Sequence, residues 1–309
     1  MSLLTLKLIR DIRAAGWQFL AVTLVVLIGI NFYQASWMSY KNIGASYELY
    51  YDQTRFGDFW ITLSEAPDTI RERILQVPGV IAVQPRIVCD IELETPVRES
   101  KQVVGRIISM PDSGRTAVND VMVVEGRYLG PPHKREVLLE RSFAEFHKLK
   151  IGDYVHPVVE GDVTDFEIVG IAMSPEYMYA IQSKQYMMPT PSTFGVLWMR
   201  LNQVERLLGY TGTVNDVSVT TQEGKADSAM RHTHAMLRRY GAEKPVPRAE
   251  QPSNYMLELD LQGWQFMAVV FPFLFLFSAA LIAFSRSRCH ISRSSPYAFE
   301  ASRSQSIST

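Results

Sequence analysis

Cysteine is nearly absent: two residues in 309, too few for a disulfide framework. Charge of one sign is not in surplus either. Lys and Arg total 31 against 32 Asp and Glu, a formal net charge of −1. Nucleic-acid binders normally show a basic excess or stripe, so no nucleic-acid partner is expected. No GxxxxGK[ST] phosphate loop occurs, which excludes ATP hydrolysis by that route. GxSxG and HExxH are missing too. The six histidines are His133, His147, His156, His232, His234 and His290. His232 and His234 lie two apart on a predicted helix and so on different faces, which reads as an exposed helix rather than a metal site. No carboxylate pair stands out for acid–base work. The chain is expected not to be an enzyme, with no catalytic, cofactor-binding or metal-ligating residue assigned.

What is abundant is apolar surface, 47% of the residues, which excludes wholesale disorder. It is concentrated near the two ends. No charge falls between Arg13 and Lys41, a run of 27 residues. About 20 apolar residues suffice to cross about 30 Å of hydrocarbon. Trp17 lies near one end of the run and Tyr33, Trp37 and Tyr40 near the other, as an aromatic belt would place them. A cleaved leader would have an apolar stretch of about 7–15 residues and a small-residue cleavage site. This run is longer and bulky aromatics follow it. A second uncharged run of 25 residues separates Asp260 from Arg286, with Phe266, Phe271, Phe273, Phe275 and Phe277 in it. Pro272 is expected to kink it, and Asn31 in the first run to face another helix.

Flanking charge sets the expected orientation. Lys7, Arg10 and Arg13 precede the first run; Arg286, Arg288 and Arg293 follow the second. The inner flanks hold Lys41 and Glu48, then Glu258 and Asp260. The positive-inside rule then puts both termini in the cytoplasm and Lys7, Arg10, Arg13, Arg286 and Arg288 at the inner face. Cys89 would lie outside and Cys289 inside, unable to pair. The expected layout is a cytoplasmic amphipathic helix over 1–13, with Leu4, Leu8 and Ile12 on one face, then transmembrane helix 1 over 14–40. An extracytoplasmic domain follows over 41–262, transmembrane helix 2 over 263–285, and a Ser-rich disordered cytoplasmic tail over 286–309.

The outer segment reads as α+β, because its strand–helix alternation is irregular and turn-rich. Helices are expected over Ala66–Val77 (capped by Asp68), Ser142–Leu149, Asn202–Leu208 and Ala226–Tyr240. Strands are expected at Val80–Val83, Ile87–Leu93, Val103–Ile108, Asp120–Val124, Glu136–Leu139, Val196–Met199 and Val214–Thr220. Tyr154–Val159 and Asp165–Ile171 read as a hairpin around Gly161-Asp162. From Ser253 the chain turns helical towards the second span. One subdomain from both chain ends and another from roughly 100–215 is a possible division. Met173, Met178, Met187 and Met188 lie among tyrosines; thioethers suit soft copper, but packing or a partner surface is the ordinary use.

Layout and phrases together resemble the FtsX/MacB-like family of ABC transporter permeases. The phrases are LKLIRDIRAAGWQFLAV, LQVPGVIAVQPRI, EGRYLGPPHKREVLLERSFAEFHKLKIGDYV, FEIVGIAMSPEYMY, TFGVLWM and QFMAVVFP, in that order over roughly residues 5–284. The resemblance implies a membrane protein with two transmembrane α-helices flanking an α+β extracytoplasmic domain of the MacB-type periplasmic core. It implies a multi-pass protein of the inner (cytoplasmic) membrane, working with a separate cytoplasmic ABC ATPase and a second permease subunit in the lipid bilayer. ATP-driven closure would move the spans and the outer domain for export or extrusion. The family has at least four spans and this chain shows two, which leads to the expectation of a truncated or frame-shifted permease. The rival readings are a two-span receptor or adaptor with a ligand- or protein-binding outer domain, and a membrane-anchored hydrolase.

Overall fold

The computed structural model describes residues 16–94, 103–182 and 190–293. Packing divides the chain into two units, Met1–Ala45 with Asp260–Thr309, and Ser46–Leu259.

In the first unit lie most of the two long helices, α1 (Gly16–Thr54) and, last in the chain, α6 (Pro252–Arg293). Both are long and apolar enough to cross a membrane. Their apolar side chains face outward: Phe273 is 68% exposed and Phe277 64%. Each such side chain left in water forgoes about 1.5–3 kcal/mol, so the surface suits lipid. Where the helices meet, small residues let them approach. Ser36, Ala268 and Ala279 are buried there, and a Cβ added at Gly29 would stand 3.0 Å from that of Phe275. Phe32 packs on Phe271 with ring centroids 4.8 Å apart. Asn31 departs from expectation: its amide donates to the Leu27 carbonyl at 2.8 Å and stays exposed. A partner one turn back satisfies it without another helix. Both helices run on past the uncharged runs, to Thr54 and to Arg293, since extending an existing helix adds one bond per residue fixed and needs no new nucleus. Residues 294–309 of the expected tail lie outside the described residues.

The second unit is an α+β domain built on two sheets. The smaller has the order β12–β1–β11–β2. Its strands are β1 (Phe59–Pro67), β2 (Val80–Arg86), β11 (Thr213–Thr221) and β12 (Val246–Pro247). Helices α2 (Ile70–Ile74) and α5 (Ala226–Leu237) supply its other layer. Ile61, Ile70, Ile74, Val83, Val217 and Leu237 form its core. The strand β1 was not expected, and Ala66 and Pro67 belong to it rather than to a helix. Ala66 pairs with Val214 and Pro67 with Thr213 across an irregular register. The helix shrinks to five residues with Thr69, not Asp68, before it.

The larger sheet, described over eight strands, has the order β5–β9–β6–β10–β4–β3–β7–β8. These are β3 (Val88–Glu94), β4 (Val103–Met110), β5 (Met122–Gly126), β6 (Glu136–Glu140), β7 (Tyr154–Val159), β8 (Asp162–Val163), β9 (Phe166–Met173) and β10 (Phe194–Arg200). At its centre β10 runs parallel to β4 and antiparallel to β6, and every residue of β10 is buried. Two short helices, α3 (Arg141–His147) and α4 (Leu201–Leu208), pack against it. The middle subdomain therefore begins at Val88 rather than near residue 100. The hairpin turns at Glu160-Gly161, both with positive φ, the geometry that matches strand twist. It pairs β7 with β8, while β9 meets β7 only at Tyr154↔Glu167 and Val155↔Phe166.

The phrase from Glu125 to Val155 is local architecture. Gly126 ends β5 at φ +79, where an added Cβ would collide with the Val169 carbonyl oxygen. Glu136 accepts a fork from Arg127 at 2.7 and 2.9 Å and the Gly130 N–H at 2.7 Å. The Glu140 carboxylate caps α3, accepting from the N–H groups of Ser142 (2.7 Å) and Phe143 (2.8 Å).

Candidate functional site at the junction of the sheets

Three segments distant in sequence converge where the two sheets of the α+β domain meet. β2 ends at Arg86, directly across from Asp216 on β11. A 3₁₀ turn, Pro175–Tyr177, follows β9 of the other sheet and carries Glu176. Burial forces these charges to pair. Arg86 donates a fork to Glu176, Nη1 to Oε2 at 2.5 Å and Nη2 to Oε1 at 2.7 Å, and its Nε donates to Asp216 Oδ1 at 2.6 Å. Arg86 is 5% exposed and Glu176 4%. Burial holds the Asp216 carboxyl above the ordinary carboxylate range, and Arg86 opposes that rise. Burial likewise raises the Tyr177 phenol, against the pull of Arg106.

More bonds stitch the same junction. Asn215 exchanges two bonds of 2.8 Å with the backbone of Val88. Ser109 Oγ on β4 accepts from the Ile87 N–H at 2.7 Å, fixing the one residue that joins β2 to β3. Arg106 forks onto Asp90 at 2.6 and 2.8 Å. A cleft of about 370 Å³ opens here, lined by Trp60, Arg86, Arg106, Glu176, Tyr177 and Gln251 among others.

The network extends into the ends of the long helices nearest the two sheets. Gln251 Nε2 donates to the Glu176 carbonyl at 2.6 Å, and Gln251 Oε1 accepts from the Asn254 N–H at 2.8 Å. Tyr51 on α1 donates its hydroxyl to Asn254 Oδ1 at 3.0 Å. Arg248 donates to the Phe56 and Gly57 carbonyls at 2.7 and 3.0 Å. A continuous hydrogen-bonded path thus runs from Tyr51 through Asn254, Gln251 and Glu176 to Arg86 and both sheets. The Arg86 and Asp216 groups are spent on protein partners rather than aimed at a reacting atom. What the arrangement can do is hold the sheets in one relation and pass a displacement between them.

The residues expected to matter for orientation lie elsewhere. Lys7, Arg10 and Arg13 are outside the described residues; Arg286 and Arg288 fall on the last turns of α6. His232 sits on α5 with Nδ1 2.7 Å from the Ser228 carbonyl oxygen of its own helix. Among the described residues no group of three His, Cys, Asp or Glu is placed to hold a metal. Met187 and Met188 lie outside the described residues, while Met173 Sδ is 3.9 Å from Arg141 Nη1. The junction residues were not singled out from sequence. Arg86 and Glu176 stand inside two of the phrases quoted above, but nothing local marks them as partners.

No protein-family model and no curated protein matches the chain. Solved structures do resemble it, two transporter domains among them. One is the extracellular domain of YknZ, a noncanonic ABC-type transporter from Gram-positive bacteria, at 16% identity and TM-score 0.41. That match covers 60% of this chain and 96% of the other. The second is the periplasmic region of MacB from Actinobacillus actinomycetemcomitans, at 9% identity and TM-score 0.39, covering 69% of this chain and 95% of the other.

Proposed function

We propose that this chain is a permease subunit of an ABC transporter of the FtsX/MacB type, in which a separate cytoplasmic ATPase drives movement of an extracytoplasmic domain. The observation that carries the reading is the layout: two helices with exposed apolar faces flank a two-sheet domain. At the sheet junction of that domain, charges are consumed in holding sheets and helix ends together. The ordered phrases over residues 5–284 support it. In this reading residues 41–262 lie outside, both termini are cytoplasmic in the inner membrane, and Lys7, Arg10, Arg13, Arg286 and Arg288 hold that orientation. A second permease subunit completes the bilayer-embedded part. The domain acts as a lever whose position the ATPase biases.

The test is purification of the full chain from its native membranes with bound subunits identified. A subunit carrying a phosphate loop, whose ATP turnover changes when this chain is removed, supports the proposal. A specific ligand with no such ATPase overturns it in favour of a receptor. Orientation is read separately by a membrane-impermeant thiol reagent on intact cells. Burial, then Asp90, raises the Cys89 thiol above its ordinary value, so labelling at Cys89 is slow at neutral pH and speeds up in alkali. Labelling of Cys289 before Cys89 defeats the topology.

A further inference from the structure

Asp120, in the loop before β5, is 3% exposed yet sits beneath two arginines that are about half exposed. Its Oδ2 accepts from Arg55 Nη2 at 2.9 Å and from Arg115 Nε at 2.6 Å. Its Oδ1 accepts from the Val121 N–H at 2.9 Å and the Tyr128 hydroxyl at 3.2 Å. The carboxylate is therefore fully used. Each arginine is pinned a second time: Arg55 Nη2 donates to the Thr116 carbonyl at 2.6 Å, and Arg115 Nη2 to the Val121 carbonyl at 2.7 Å. Arg115 also lies over the Tyr128 ring at 4.7 Å.

Two guanidinium charges against one carboxylate leave a surplus of one positive charge. Arg55 Nε and Nη1 and Arg115 Nη1 make no hydrogen bond among the described residues. The two side chains are 47% and 54% exposed and border a cavity of about 320 Å³ with Gln53, Thr54 and Met122. An arginine fork held at two points has already lost its rotamer freedom, so an incoming anion does not have to order it. The N–H groups left over on the two guanidiniums can each donate a charge-assisted bond, and oxygen anions are the acceptors that guanidinium favours. We infer that Arg55 and Arg115, pre-set by Asp120, form a binding site for a small oxyanion of phosphate type. The site is separate from the junction network and does not depend on the permease reading.

The experiment is calorimetric titration of the full chain, in nanodiscs of zwitterionic lipid, with inorganic phosphate. Saturable binding is expected, weakened by added salt. Arg55→Gln and Arg115→Gln are each expected to lower affinity about tenfold or more, whereas Arg239→Gln on the smaller subdomain leaves it unchanged. Should Arg115→Gln lower the unfolding midpoint, Arg115→Lys keeps the charge but removes the free fork atom, and a several-fold loss is expected. Nanodiscs containing phosphatidylglycerol distinguish the source. Loss of phosphate binding there assigns a lipid headgroup to the site, and unchanged binding assigns a soluble ligand; both support it. No saturable binding in either disc, or equal loss with Arg239→Gln, overturns the inference.

Discussion

Replacing Arg86 by Met tests the junction most directly. The side chain volume is nearly kept, and two carboxylates are left buried without their partner. Three charge-assisted bonds of 2.5–2.7 Å are lost. Summed at about 1.5–3 kcal/mol each they suggest about 5–9 kcal/mol. That overstates the effect, because the wild-type pairing already carries the desolvation cost of Arg86 itself. The measured range for breaking a buried pair, about 3–5 kcal/mol, is the better expectation. For a domain of this size it corresponds to about 6–20 °C in unfolding temperature. Tryptophan fluorescence of the full chain reads it, since Trp60 lies on the smaller sheet and Trp198 on the larger, at 6% and 1% exposure. The loss should grow with pH. Without Arg86, the Asp216 carboxyl rises further above the unfolded value of about 3.9. The folded form then binds the extra proton between those values, and stability falls as pH rises through that window. The deficit is therefore larger at about pH 8 than at about pH 5. Arg86→Met with Glu176→Leu and Asp216→Leu removes all three charges and should recover most of the loss. A single-variant loss under about 1 kcal/mol, or one that shrinks as pH rises, would refute the reasoning.

Other expectations concern the scaffold. Glu136 is held below the ordinary glutamate range by the Arg127 fork, against its own burial. Its contribution is present above about pH 4.3 and is lost as pH falls through the lowered value. Glu136→Gln should flatten the acid limb of an unfolding curve and cost about 1–2 kcal/mol, kept modest by the half-exposed Arg127. Gly126→Ala meets both a positive φ and the Val169 carbonyl, and a loss of about 1–3 kcal/mol in denaturant unfolding is expected. In the membrane, cysteines at Phe32 and Phe271 in a background free of native cysteine should cross-link readily. Adding Gly29→Leu should reduce that yield several-fold by forcing the helices apart at Phe275, and an unchanged yield would contradict the packing.

The two long apolar helices and most strands of the two sheets were legible because both signals are local. An uncharged run of 27 residues or a short β-branched stretch needs no knowledge of its neighbours. β1 was missed because Glu65-Ala66-Pro67-Asp68 resembles the opening of a helix. Its strand character is imposed by β11, which pairs with it from Thr213 to Val219. The sheet orders were invisible for the same reason. β9 looks like the return strand of a hairpin, yet its main partners are β5 and the parallel β6. The junction is the extreme case. Arg86, Glu176 and Asp216 are ordinary residues in ordinary strands and turns. Their pairing exists only once two sheets are assembled, at separations of 90 and 130 positions.

The strand order of the smaller sheet has a consequence for how the protein is made. β1 and β2 emerge early but do not pair with each other; each waits for β11 between them. The whole larger sheet, Val88 to Arg200, is synthesised in the interval. At about 5–20 residues per second the wait is of the order of ten seconds. Through that time Phe59, Ile61, Val83 and their neighbours have no partner strand. Unpaired strands of this kind are aggregation-prone until β11 is made. Slowing translation between Arg200 and Thr213 should raise aggregation more than slowing it after Thr221.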